Sequence, residues 1–269
     1  MGPDLSKGQN SHDAGNRAAM TLPLEPERFG KLSIFFPMWN EEQYIHRAVR
    51  AAKEICDQLV ADKEVGDYEL IIIDDASTDR TGEYADELVE ADHRIRVVHH
   101  ERNRKLGGSI KSGFSAATGD VVLYTDADLP FEMIELVRAL RVLRNYEADM
   151  VSAYRLDRTG EGLRRAVYSW VYNWLIQLSF GTRLRDINFA FKLCRRRVLD
   201  AIALSSEGSF IDAELVIRAQ KAGFTILQIG VDYFPRTRGV STLSSLGVIR
   251  TMLGEMARLR SELKAGPAA

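Results

Sequence analysis

Residues 119–128 read Gly-Asp-Val-Val-Leu-Tyr-Thr-Asp-Ala-Asp, and this stretch decides the fold. Val121–Thr125 is a short apolar run of strand length, of the kind a parallel sheet buries on both faces. Asp126 and Asp128 follow at i and i+2, so continued extended backbone turns both carboxylates the same way. Two hard oxygen donors that leave most of a coordination sphere open suit Mg2+ or Mn2+ shared with a diphosphate. The plain alternative is a polar turn, since Asp-x-Asp is common in any protein. Its position after a buried strand raises the triplet above that alternative.

Outward from this strand the same pattern repeats. Lys31–Phe36, Tyr68–Ile73, Ile95–His100 and Asp149–Tyr154 are strand-length runs, and Glu42–Lys63, Asp79–Glu90, Gly108–Ala117 and Phe131–Asn145 carry helical spacing. Alternation with short connections predicts an α/β, Rossmann-like fold whose mostly parallel sheet is flanked by helices. In such sheets ligands gather beyond the carboxyl ends of the strands. Pro37–Glu42, Asp74–Asp79, Asp126–Asp128 and Arg155 are therefore expected around one cleft.

The 269 residues suffice for one large domain with a C-terminal elaboration. With 45% hydrophobic residues, 28% charged residues and a net charge of −2, composition gives no reason to expect a nucleic-acid partner. Charge is nonetheless uneven: Arg155 to Arg197 holds ten cationic side chains against few acidic ones, which suggests an anionic ligand or surface. Cys56 and Cys194 are isolated thiols, fitting a reducing, cytoplasmic setting rather than secretion. No run of 18 apolar residues exists, so no transmembrane helix is expected. Residues 1–28 lack the apolar core of a signal peptide and read as a disordered leader.

Beyond Arg155 the texture changes. Residues 162–180 place Val167, Trp170, Val171, Trp174, Leu175 and Leu178 on one helical face. A packed core helix and an interfacial helix at a membrane surface both fit this stripe. A strand region at Thr225–Tyr233 and a final amphipathic helix over Leu246–Leu263 complete the chain. Lys192 and Arg195–Arg197 read either as headgroup contacts or, more simply, as a solvated helix face.

Of the other strand ends, Asp75 could accept hydrogen bonds from a nucleobase N–H or a ribose hydroxyl, and Asp79 suits a helix cap. Trp39 could line a base or sugar pocket; Asn40 or Glu41 could equally cap a helix.

The order Pro37-x-Trp39-Asn40-Glu41, then Ile73-Asp74-Asp75-x-Ser77-x-Asp79, Asn103-x(4)-Gly108 and the 119–128 stretch resembles family 2 glycosyltransferases with the GT-A fold. The continuation through Arg155, Arg165-x(3)-Ser169, Asp186-x(4)-Phe191-Lys192 and Arg236-x-x-Gly239-x-Ser241 is similar to the dolichol-phosphate mannose synthase and polyprenyl-phosphate glycosyltransferase branch. The resemblance spans roughly residues 31–245. It implies a GT-A domain over 29–245, with a donor half at 31–155, an acceptor half at 156–245 and a helical tail at 246–269.

The resemblance assigns Pro37, Trp39, Glu41, Ile73, Asp75, Asp126, Ala127 and Arg236 to the donor nucleotide sugar, and Asp126 and Asp128 to the metal. Asp128, Arg155 and Asp186 become catalytic candidates, while Arg165, Ser169 and Lys192 would hold the acceptor phosphate. Two positions depart from the pattern. Pro130 stands where the family often has a metal-binding Gln, and Thr242 where a Lys usually closes the late loop.

The implied reaction is inverting, metal-dependent transfer of a hexose from a GDP-, UDP- or dTDP-sugar to a polyprenyl phosphate. It would take place peripherally at the cytoplasmic membrane face, with an oligomer also compatible. An ionised phosphate acceptor needs cations rather than a strong base. A hydroxyl acceptor on a soluble enzyme would need one, and Asp212 or Glu214 is the candidate, unless both merely start a helix. A non-catalytic nucleotide-sugar-binding protein is the third reading.

Overall fold

The computed structural model describes residues 28–157, 163–234 and 246–265. Seven strands form one sheet: β1 (Phe29–Met38), β2 (Val65–Asp74), β3 (Ile95–His99), β4 (Val121–Thr125), β5 (Met150–Arg155), β6 (Phe191–Arg195) and β7 (Ile226–Val231). Their order across the sheet is β3-β2-β1-β4-β6-β5-β7. Eight helices accompany them among the described residues: α1 (Ile45–Ala61), α2 (Thr81–Ala91), α3 (Lys105–Ala116), α4 (Glu135–Asn145), α5 (Leu163–Phe180), α6 (Arg196–Ala201), α7 (Ile211–Lys221) and α8 (Leu246–Ala265).

Strand side chains alternate between two cores, as the two-residue period requires. Leu32, Ile34, Phe36, Leu70, Ile72, Val121 and Leu123 face α1, α2 and α4, whereas Phe35, Ile71, Ile73, Val122 and Tyr124 face α3, α6 and α7. Burial on both faces explains why these strands read as continuous apolar runs. Gly113 lets α3 approach closely, because a Cβ there would lie 2.2 Å from the Phe35 ring.

The cleft arises where the strand order reverses. The chain runs β1 to β3 in one direction and then returns to place β4 on the other side of β1. Pairing of β1 with β4 ends at Phe35 and Tyr124, while β1 continues beside β2 as far as Met38. Pro37 therefore lies past the β4 ladder, where its missing N–H costs nothing. The β1–β4 ladder ends at this point, where the strand order reverses and where ligands gather in such sheets.

β6 corrects one expectation in part: Lys192 and Arg195 stand on a central strand antiparallel to both β4 and β5, whereas Arg196 and Arg197 begin helix α6, with Arg197 exposed. Lys192 is wholly enclosed in it. The arginines that follow fasten backbone carbonyls and one carboxylate. Arg195 donates to the carbonyls of Ala148 and Leu143, Arg196 to those of Ala117 and Gly119, and Arg197 to Asp149.

Helix α5 turns a different face inward from the apolar stripe. Ile176 and Phe180 are buried with α7 and α8, and Tyr172 packs against them. Trp170, Val171, Trp174 and Leu178 point outward, with Trp170 and Leu178 about two-thirds exposed at 67% and 69%. The packed-stripe alternative therefore fails for these four residues. None of the described helices is long and apolar enough to cross a membrane.

Helix α8 clasps the 202–210 connection. Glu255 Oε1 accepts from the N–H groups of Glu207 (3.0 Å) and Gly208 (3.1 Å), and Glu262 pairs with Arg218 of α7 at 2.6 Å. The same connection reaches α3, where Gly107 N donates to Glu207 O at 2.9 Å. Only glycine fits at 107, since a Cβ would meet Ser206 O at 2.4 Å. Cys56 and Cys194 are both buried as free thiols.

Candidate active site

At the end of β4 the Ala127 side chain is buried in the core, leaving Asp126 and Asp128 half-buried on either side of it. The chain then turns at Leu129, whose φ is +47°. Tyr124 lies wholly buried beneath, hydrogen-bonded to Asp126. Burial, reinforced by the carboxylates of Asp212, Asp126 and Asp128, pushes its phenol well above the usual range, so it stays a donor. Among the described residues no three His, Cys, Asp or Glu side chains group as a ready-made metal site. Two carboxylates with Pro130 beside them fit a metal that completes its shell with ligand oxygens, not one held by protein alone.

The ends of β1 and β2 are laced together. Asn40, at a φ of +57°, accepts from Thr78 N at 2.7 Å and donates its own N–H to Ser77 Oγ. Glu41 N donates to Thr81 Oγ1, and Glu42 N to Asp79 Oδ2. Asp79, one residue before the N-cap Arg80, accepts from Thr81 N at the start of α2 at 2.9 Å. Trp39 stands half-exposed (51%) over this lip, beside the partly buried Pro37. Ile73, expected at the donor, is fully enclosed in the core, so it supports the strand rather than touching a ligand.

Asp74 and Asp75 are each held by a histidine from the end of β3. His99 Nδ1 lies 2.9 Å from Asp74 Oδ2, with Asp86 on its other nitrogen. Burial works against the charged form of His99, yet these two carboxylates outweigh it and raise its pKa. His100 Nδ1 lies 2.6 Å from Asp75 Oδ1, and Arg104 N donates to the same oxygen at 2.7 Å. Sequence reasoning missed the histidines, although they sit at a strand end exactly as far along β3 as Asp74 and Asp75 do on β2.

Across the cleft Arg155 and Asp186 form a forked pair, with Nε to Oδ2 at 2.7 Å and Nη2 to Oδ1 at 2.6 Å. The guanidinium also lies 5.1 Å from the Tyr233 ring centre. The strand end thus brings together the two residues picked separately from sequence. Lys192 lies below them, donating to Phe189 O, with its pKa lowered by burial against the opposing pull of Asp212, Asp186 and Asp126. It supports the floor and offers no surface to a lipid headgroup.

Asp212 is buried beside Lys192, and burial pushes it up to about 6 despite that lysine. Glu214 is unsuited to be a base. It accepts from the N–H groups of Ser205 and Ser206 and pairs with Arg218, and these contacts hold its pKa down against burial. Arg236 and the side chains of Arg165 and Ser169 lie outside the described residues.

The family model of glycosyl transferase family 2 matches residues 33–203, and the chain belongs to that family. The glycosyltransferase AglD of Haloferax volcanii is 34% identical over 212 residues, covering 77% of this chain but 33% of AglD. The chain therefore spans about a third of that relative's length. The polyprenol monophosphomannose synthase of Mycolicibacterium smegmatis is 27% identical and is covered over 91% of both chains. The undecaprenyl-phosphate 4-deoxy-4-formamido-L-arabinose transferase of Proteus mirabilis is 28% identical, covering 84% of this chain and 67% of that protein. Among solved structures, glucosyl-3-phosphoglycerate synthase from Mycobacterium tuberculosis, with Mn2+ and UDP-glucose, superposes with a TM-score of 0.64. At 20% identity, over 86% of this chain and 79% of that one, it establishes the shared GT-A fold alone. The protein is a glycosyltransferase.

Proposed function

We propose that the chain transfers a sugar from a nucleoside diphosphate to a polyprenyl phosphate at a membrane surface. The observation that carries this is the layout of one sheet edge. Asp75, the Asp126–Asp128 pair and Arg155 with its partner Asp186 follow the carboxyl ends of β2, β4 and β5 in the one sheet, and the exposed Trp170, Trp174 and Leu178 lie on a helix of the acceptor half. The names of AglD's companions among the relatives, two of them polyprenyl-phosphate transferases, support the same acceptor.

Asp126 and Asp128 would hold Mg2+ or Mn2+ together with the donor diphosphate. When bound, the metal neutralises charge on the diphosphate leaving group. Asp75, Trp39, Pro37 and Glu41 would bind the nucleoside. Arg155, oriented by Asp186, would face the phosphates, with Arg165, Ser169 and Arg236 as further anion contacts. An ionised phosphate acceptor needs no proton removed, so attack requires approach of two anions, which these cations favour.

The test is transfer to a short polyprenyl phosphate across a panel of nucleotide sugars with Mn2+, read by mass spectrometry of the lipid. An acid-labile, alkali-stable glycosyl phosphate is expected. A product formed only on a hydroxyl acceptor would sink the reading. The raised pKa of Asp212 favours that second possibility, in which it would act as base. Asp212→Asn separates the two, since lipid-phosphate transfer should survive it and hydroxyl transfer should not.

A further inference from the structure

We propose that His100 is a positioning residue that makes Asp75 a one-oxygen acceptor, favouring a donor with uracil or thymine over one with guanine. The inference rests on the reading of Asp75 as a nucleoside contact. Both residues are almost enclosed, with 4% of each side chain exposed. Asp75 Oδ1 receives two donors, His100 Nδ1 at 2.6 Å and Arg104 N at 2.7 Å. Nδ1 must carry the hydrogen in that contact, because the carboxylate oxygen accepts.

Two donors fill the two lone-pair sites of Oδ1. Oδ2 receives no hydrogen bond from the described residues and is what remains for a ligand. The arrangement cannot relax by rotating the imidazole. Its Nε2 is 2.9 Å from Ser112 Oγ on α3, and Arg104 Nη1 donates to that same hydroxyl. The backbone is fixed as well, since Asp75 N donates to Met38 O at 2.9 Å.

Uracil and thymine present a single imide N–H, which one oxygen satisfies. Guanine presents N1–H and N2–H side by side and needs both oxygens of a carboxylate. With Oδ1 occupied, one guanine donor is left unmet, and an unmet buried donor costs affinity. Selection against guanine thus comes from the protein groups behind Asp75, not from any clash in front of it.

The test is calorimetric titration of the full chain with UDP, dTDP and GDP in the presence of Mn2+. UDP or dTDP should bind at least about tenfold tighter than GDP. His100→Leu should lose about tenfold in UDP affinity and narrow the UDP-to-GDP ratio, because Asp75 is freed to turn. His100→Asn, whose amide can donate to Oδ1, should restore most of both. Ser112→Ala is the milder variant if the leucine protein does not fold, and it should narrow the same ratio. Equal binding of GDP and UDP by the unaltered chain, or an unchanged ratio in the folded His100 or Ser112 variants, would overturn the proposal. Asp75→Ala that binds all three nucleotides as before would instead overturn the nucleoside reading of Asp75.

Discussion

The carboxylate of Glu69 is settled by its partners and not by its burial. Glu69, on β2, is buried between Ser33 of β1 and Arg96 of β3, where burial alone would raise its pKa. Ser33, Thr118 and Arg96 all donate to it, and the balance takes it down to about 2. A depressed carboxylate stabilises the fold above its unfolded pKa, and that contribution is lost as pH falls toward the folded value. Acid unfolding should therefore steepen between the usual carboxylate range and about 2, and Glu69→Gln should flatten it at a cost on the order of 1–2 kcal/mol at neutral pH. Chemical denaturation at several pH values reads this directly; parallel curves for the two proteins would refute it.

The Arg155–Asp186 pair is the second such case. Removing one partner leaves a buried charge alone, so Asp186→Ala should cost about 3–5 kcal/mol. Arg155→Lys, which cannot make the fork, should lose activity while remaining folded. Asp126→Asn and Asp128→Asn should each abolish metal-dependent transfer. Because protein supplies two carboxylates there, Mn2+ alone should barely shift the melting temperature, and Mn2+ with a nucleoside diphosphate should shift it clearly. A large shift with metal alone would contradict this picture of the site.

Among the elements, the parallel strands were legible and β6 was not. Lys31–Phe36 and Tyr68–Ile73 announce themselves because both faces are apolar, and the structure merely lengthens them at each end. Phe191–Arg195 carries a lysine at its second position and ends in the first of three consecutive arginines, so its local signal is that of a charged surface. Only tertiary context, the carbonyls and carboxylates waiting around it, makes burial tolerable. Helix α5 was legible as a helix but not in its orientation. Periodicity identifies an apolar face without saying what covers it, and Asn173, on the polar side, turns out to accept from Ile187 N. The site residues were found where strand ends carry acids, and missed where histidines hold those acids from behind.

The exposed face of α5 gives this scale its prediction. Trp170→Ser with Trp174→Ser should change folding stability by no more than about 1 kcal/mol, since both residues are at least half exposed. Association with anionic lipid vesicles should fall by roughly tenfold or more, the loss expected when aromatic area no longer inserts. Co-sedimentation with vesicles measures the second effect. Unchanged sedimentation together with lost stability would show that the face is covered by protein instead.

For the molecule as a whole, the position of β6 sets an order on how the sheet can be completed. Residues 28–125 supply β3, β2, β1 and β4, a contiguous four-strand unit, whereas β5 meets that unit only through β6. A chain growing from its amino end therefore carries β4 as an open edge until residues 191–195 are made, some 65 positions after β4 is complete. During that interval Val121–Thr125 is a bare template for pairing with another chain. A product terminated just before β6 should aggregate, and one terminated just after α6 should not. The strand that carries a buried lysine thus acts as the seam of the molecule.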